Sequence, residues 1–326
     1  MDTKTPIHYA TLAPSGHNTQ PWKFSINKNT IRLFPDFTRS LPVVDPDNLA
    51  LFISLGCALE NLVIAARQEG LRCRVDYFSE DETEECIRIT LQKEDISKEQ
   101  DLFDAFPERH SNRSLYDERN IAKPDMDQLL LDGESTSVEV MALDAGEQDV
   151  EPIISLVKEA CEIQFKDRRF VNELTSWIRF SKKEVRRRKD GLTAKVMGFP
   201  YIPGRLGRII LKTFARPKPE ADKTERQIRS SSHLLMFVCK KNDKKHWVDT
   251  GRVFERIALK AASLGISHAH LNMPCEVESV RMKLSKHLQL QPGEQPVLLI
   301  RLGYAGDVPR SPRRPIGDVL IQGKVN

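Results

Sequence analysis

The 326-residue chain, with 40% hydrophobic and 29% charged residues, has an ordinary soluble composition that can bury one large core or two modest ones. A formal net charge of +4 is too small at this size to point to nucleic acid. No stretch reads as a membrane span and Met1 to Ala10 has no signal-length apolar run, so a cytoplasmic location is expected. Six scattered cysteines (57, 73, 86, 161, 239 and 275), without Cys-x-x-Cys or a His at ligand spacing, suggest neither a disulfide framework nor a metal site.

In chain order, the first feature is a turn-rich loop, Ala13-Pro-Ser-Gly-His-Asn-Thr-Gln-Pro-Trp22. Pro14, Ser15, Gly16, His17, Asn18 and Gln20 put four hydrogen-bonding side chains on a segment too short to bury them all. Lys23 to Ile26 and Thr30 to Phe34 then flank Asn27-Lys-Asn29 as a β-hairpin. A helix is expected from about Asn48 to Gln68, closed by Gly70, with Leu59, Leu62, Val63 and Ala66 on one face. Arg74 to Phe78 and Cys86 to Gln92 read as strands around the acidic turn Ser79 to Glu85. Further on, Val138 to Leu143 reads as a strand, and Glu151 to Ala160 and Phe170 to Arg188 as helices.

The first pattern then returns. Gly56, Leu59, Glu60, Leu62, Val63, Ala66 and Gly70 match Gly251, Phe254, Glu255, Ile257, Ala258, Ala261 and Gly265 at a constant offset, and the strand-like His233 to Cys239 and Val297 to Leu302 flank the second copy. This predicts an internal duplication: an α+β chain of two fused halves, 1–100 and 101–326, with the two central helices packed together as a single-chain pseudo-dimer. The expected state is a monomer. The second half carries an insertion at about 170–218, within which Arg179 to Lys218 holds many Lys and Arg against only Glu184 and Asp190. That segment reads as a solvated basic face, a lid over an anionic ligand or a membrane-surface patch.

Two further clusters carry chemistry. Arg109-His110-Ser111-Asn112-Arg113 combines two fixed cations, a titratable ring and two short donors, expected just ahead of a helix N-terminus, which is a phosphate-binding composition. Ser311, Arg313 and Arg314 sit in Arg310-Ser-Pro-Arg-Arg-Pro315, where prolines stiffen a loop that presents arginines together. Either cluster is also compatible with a solvated polar turn.

The order Pro-Ser-x-x-Asn-x-Gln-Pro-Trp resembles the flavin-contacting loop of the FMN-dependent nitroreductase family, and the likeness extends over nearly the whole chain. It implies that Arg109, Ser111 and Arg113, with Arg313 and Pro315, hold the FMN phosphate and ribityl chain. It also implies that Pro14, Ser15, Gly16 and Asn18 close over the ring and that Asn272 and Met273 lie near the flavin. The two fused halves with a long insertion look like the Acg-type twin nitroreductases, whose fold is a helix-flanked antiparallel sheet. Each half lacks what the other has, so one complete site per chain is expected. The resemblance implies an oxidoreductase in which hydride passes from NAD(P)H through FMN to a small nitroaromatic or quinone-like acceptor. No residue is needed as a catalytic acid or base, and His17 and His110 are expected to donate to the flavin or the backbone. A lid that stays shut would make the protein an FMN store or sensor instead.

Overall fold

The computed structural model describes residues 3–79 and 85–321; most of the acidic turn expected at 79–85 lies outside them. A short helix α1 (Lys4–Ala10) leads through the loop to β1 (Trp22–Asn27) and β2 (Thr30–Pro35), paired in the expected hairpin with Asn27 opposite Thr30. Next come α2 (Leu49–Gln68), β3 (Leu71–Tyr77), β4 (Ile87–Lys93), α3 (Gln100–Asp104), α4 (Lys123–Asp132) and β5 (Val138–Asp144). The chain then enters α5 (Glu151–Lys166), α6 (Arg168–Trp177), β6 (Ile178–Arg179), α7 (Lys182–Arg188), β7 (Leu192–Thr193), α8 (Gly204–Phe214) and α9 (Pro217–Arg229). It closes with β8 (His233–Cys239), α10 (Lys244–Ser263), β9 (Ser267–His270), α11 (Met273–Glu276), α12 (Glu278–His287) and β10 (Gln295–Gly303).

The two large sheets have the same plan. One is ordered β1-β2-β4-β3 and the other β5-β8-β10-β9, both antiparallel throughout, with α2 joining the second and third strands of its half in sequence and α10 doing the same in the other. The long excursion from α5 to α9 stands between β5 and β8, where the first half has only the two-residue turn between β1 and β2. The paired strands carry the continuous apolar run Val297 to Ile300 in β10, as a sheet covered on both faces requires.

The halves meet along α2 and α10, and the two matched glycines set their spacing. A β-carbon on Gly56 would stand 2.0 Å from the Val248 carbonyl oxygen, and one on Gly251 would stand 1.9 Å from that of Ile53. The helix backbones therefore touch. The matched glutamates are both buried in this seam but are neutralised differently: Glu60 bonds Arg252 at 2.7 Å and Arg256 at 3.0 Å, while Glu255 faces Arg109 at 3.1 Å. Burial works to raise the Glu60 pKa, and the two arginines together overcome it and hold it low. At Glu255 burial prevails over Arg109, Asn61 and the Arg313 charge and pushes the carboxyl up to about 7.

The sequence reading needs correction here in two places. Leu59, Leu62, Val63 and Ala66 of α2 are buried, but so is every other residue from Leu51 to Ala66, because the helix packs against α10, α1, α3 and the β2 and β3 strands of its own sheet. It is in fact long and apolar enough to cross a membrane, yet 89% of its apolar window is buried inside the molecule, so it is core. The helix expected over Phe170 to Arg188 is broken at Ile178, where β6 pairs with β7 and Ser181 starts α7 with a capping box.

Candidate functional site

The loop from Ala13 to Trp22 is held in a conformation that L-residues avoid. His17, Asn18 and Gln20 have φ of 49°, 54° and 54°, each costing roughly 1 kcal/mol or more in isolation. Contacts from three parts of the chain enforce it. Ser15 Oγ accepts from the Gln20 N–H at 2.8 Å, Asn18 Nδ2 donates to the carbonyls of Gly191 and Pro312 at 3.0 Å each, and Gln20 Nε2 donates to that of Lys189. The loop is thus fastened to the α7–β7 turn on one side and to the carboxyl-terminal strap on the other.

Beside it opens a cavity of about 470 Å³, within the range of small-molecule and cofactor sites. The loop supplies Pro14, Ser15, Gly16 and His17; α2 supplies Ile53 and Cys57; and Phe254, Leu298 and Arg301 come from the second half. Gln164 and Phe165 of α5, Phe170 and Leu174 of α6, and Lys195 to Gly198 enclose the far side. Residues of both halves and of the insertion are therefore all required to form one wall. The insertion is latched down: Phe170, Leu174 and Leu192 pack with Leu41 and Val44, and Glu173 accepts from the Val43 and Val44 N–H groups at 2.9 and 3.0 Å. Buried Asp190 binds both Arg179, at 2.7 Å, and Arg39.

The cavity is electropositive. Among the described residues, no carboxylate pairs with Arg113, Arg301 or Lys195. Arg301, 1% exposed, lies 3.8 Å from the Tyr116 ring centre and donates only to carbonyls and Ser231 Oγ. Burial, then the Arg113 charge, pushes His17 down to about 4 and His270 to about 3, so both line the cavity as neutral rings at neutral pH. Burial raises Glu276 to about 7, although Gln164 Nε2 donates to it at 2.6 Å. A site with a guanidinium that no carboxylate pairs among the described residues, and with two imidazoles kept neutral chiefly by burial, is prepared for an anion.

Of the residues singled out from sequence, Pro14, Ser15, Gly16, His17, Arg113, Asn272 and Met273 line this cavity. The others do not. Arg109 is turned into the seam, facing Glu255 and donating to the Leu12 carbonyl at 3.2 Å. Arg313 donates to Leu12 O and to Asn18 Oδ1 at 3.0 Å, and Arg314 binds Gln20 through its backbone N–H. Asn18 and Gln20 are spent on the fastening contacts above. His110 sits between Glu108 O and Asp307, Ser111 forms an isolated bridge with His268, Asn112 donates to Gly306 O, and Ser311 gives its carbonyl to Arg313. The clamp of Arg109 with Arg313 is thus a brace between loop, strap and seam. The helix dipole expected behind Arg113 is missing too, because residues 114–122 are irregular and α4 begins only at Lys123.

Arg301, His270, Glu276 and the α5 and α6 residues escaped the sequence reading. For Arg301 a signal was present: a lone arginine inside Val297-Leu-Leu-Ile-Arg-Leu302, a strand apolar on both faces, must have a specific partner or role. Gln164 and Phe165 carry no such signal.

No protein-family model matches the chain. It is similar to "Putative NAD(P)H nitroreductase Rv3131" of Mycobacterium tuberculosis (strain H37Rv), 24% identical over 335 residues spanning 97% of this chain and 90% of the relative. It is likewise similar to "Putative NAD(P)H nitroreductase acg" of the same organism, 23% identical over 326 residues, spanning 97% and 94%. These relatives bear out the resemblance drawn from the loop and the duplication. Among solved structures, nitroreductase A from Vibrio parahaemolyticus covers 69% of this chain and 77% of its own at 11% identity and a TM-score of 0.40. A nitroreductase with bound FMN from Bacteroides fragilis covers 64% and 90% at 15% identity and 0.36, too slight a likeness to argue from.

Proposed function

We propose that this chain is an FMN-dependent oxidoreductase that passes reducing equivalents from NAD(P)H to a small nitroaromatic or quinone-like acceptor, with one FMN in the cavity between its halves. The observation that carries the reading is the Arg113 guanidinium, without a carboxylate partner among the described residues, lining a largely apolar cavity beside a strained loop. The residues fit the cofactor: Arg113 suits its phosphate, and Phe254, Leu298 and Met197 offer apolar surface to a flat ring. FMN, when bound, supplies the hydride chemistry. The chain's own part is to hold neutral His17 and His270 as hydrogen-bonding groups, exclude water with Phe165 and Phe170, and fix the loop through Asn18 and Gln20. The halves 1–100 and 101–326 each contribute what the other lacks, and burial of both α2 and α10 within one chain favours a monomer.

The test is flavin content. Arg113→Ala should fold normally and bind FMN about ten- to a hundredfold more weakly, the loss of one charge-assisted bond of about 1.5–3 kcal/mol, read by fluorescence titration with circular dichroism as the folding control. Wild type should hold one FMN per 37.2 kDa chain. Unchanged affinity in Arg113→Ala, or two flavins per chain, sinks the assignment.

Glu276 adds a pH dependence. Its folded pKa is raised, so it is neutral below about 7 and gains a negative charge as pH rises through that value, opposing a bound phosphate. FMN affinity should fall by roughly threefold to tenfold from the acid to the alkaline side of that range, while Glu276→Gln stays flat. The latched insertion supports a second reading, an FMN store closed to nicotinamide. Stopped-flow mixing of flavin-loaded protein with NADPH separates the two: rapid bleaching of the flavin marks a reductase.

A further inference from the structure

We propose that α8, with the exposed basic segment around it, is a docking surface for an anionic lipid bilayer. Of the eleven large apolar side chains exposed among the described residues, five fall between Phe199 and Phe214. Four of them, Leu206, Ile209, Ile210 and Phe214, follow at i, i+3, i+4 and i+8 and so share one stripe of α8. That stripe is not a packing face left over by chance. The helix already rests on the body of the protein along the side of Gly207 and Arg208, where Gly207 is buried with the Phe180 ring filling the place of a β-carbon and Arg208 bonds Glu184 at 2.7 Å. Ile209, 63% exposed, turns away from that contact, and Phe214, about two turns beyond Gly207, is 71% exposed.

The charge around the stripe identifies its occupant. Lys182, Lys183, Arg186 and Arg187 on the adjoining α7, and Arg205 and Lys212 on α8 itself, are exposed, and none is in an ion pair among the described residues. A second copy of the chain would bring the same cations against these, so a homotypic interface is opposed by like charge. Nucleic acid would satisfy the cations but has no use for a solvent-facing stripe of Leu, Ile and Phe. An anionic bilayer meets both, taking the aliphatic stripe into the acyl boundary and the cations at the headgroups. Each Lys or Arg near such a surface strengthens binding by about fivefold, and salt screens the effect. The surface is continuous in sequence with Lys195 to Gly198 at the cavity edge, joined through exposed Phe199.

The test is co-sedimentation of the full-length protein with vesicles of phosphatidylglycerol and phosphatidylcholine in equal parts, against phosphatidylcholine alone. Wild type should bind the anionic vesicles at least about tenfold more tightly, and added salt should release it. The double variant Ile209→Asp/Phe214→Asp should lose about tenfold or more, whereas Leu131→Asp, an equally exposed site on α4, should bind as wild type. No preference for anionic vesicles, or wild-type binding by the double variant, overturns the proposal. So does a concentration-dependent dimer that the double variant abolishes, which would give the stripe to a second copy, and so does duplex DNA retained more tightly than the vesicles.

Discussion

Gly251→Ala is expected to lower the thermal midpoint of the whole protein by about 10 °C and to release no smaller folded unit. In an isolated helix the same change would add about 1 kcal/mol of stability through propensity alone. The seam reverses the sign. The new methyl carbon would stand 1.9 Å from the Ile53 carbonyl oxygen and 2.9 Å from the Cys57 nitrogen, both backbone atoms that cannot rotate aside. To restore ordinary contact the helices must separate by about 1.5 Å, which forfeits dispersion along the whole α2–α10 interface and costs several kcal/mol. Gly56→Ala should do much the same against Val248, and the two together should cost less than their sum, because one separation relieves both clashes. Calorimetry with light scattering checks this. A stabilised Gly251→Ala protein would mean that the halves do not meet at this seam.

That seam was the most legible part of the molecule, for a physical reason. Backbone contact between two helices tolerates only glycine, so Gly56 and Gly251 had to recur at the same register, and the apolar positions around them recurred with it. The loop was legible as well, since Pro, Ser, Gly, His, Asn and Gln in so few residues have few structural uses. What the sequence could not tell was direction. Arg109 and Arg113 are chemically equivalent in one irregular segment, and only the tertiary path turns the first towards Glu255 and leaves the second at the cavity. Arg313 likewise reads as a ligand-binding cation but serves the loop, donating to Leu12 O and Asn18 Oδ1. The far wall of the cavity, from Gln164 to Leu174, was illegible because its residues are those of any amphipathic helix and become a wall only where the insertion folds back.

The sharpest consequence of that division of labour concerns Arg109. Arg109→Ala should destabilise the fold by about 3 kcal/mol, the cost of leaving a buried carboxylate without its nearest counter-charge. In contrast, Arg113→Ala should leave the fold intact and weaken only ligand binding. The sign of the pH dependence identifies the cause. Glu255 is fully buried, and its folded pKa, already raised to about 7 with Arg109 present, must rise further without it. A carboxyl whose folded pKa exceeds its unfolded value contributes stability that is complete below the unfolded pKa and is lost as pH rises through the folded one. The Arg109→Ala protein should therefore come closest to wild type in acid, where Glu255 is protonated, and fall progressively behind as pH rises through and above about 7. Adding Glu255→Gln, which removes the charge and keeps the shape, should recover most of the loss and flatten the pH dependence. Denaturation midpoints of the two single variants and the double variant across that range decide the matter: a constant deficit at all pH values, or a double variant no more stable than Arg109→Ala, would mean that Arg109 does not serve to neutralise Glu255 in the seam.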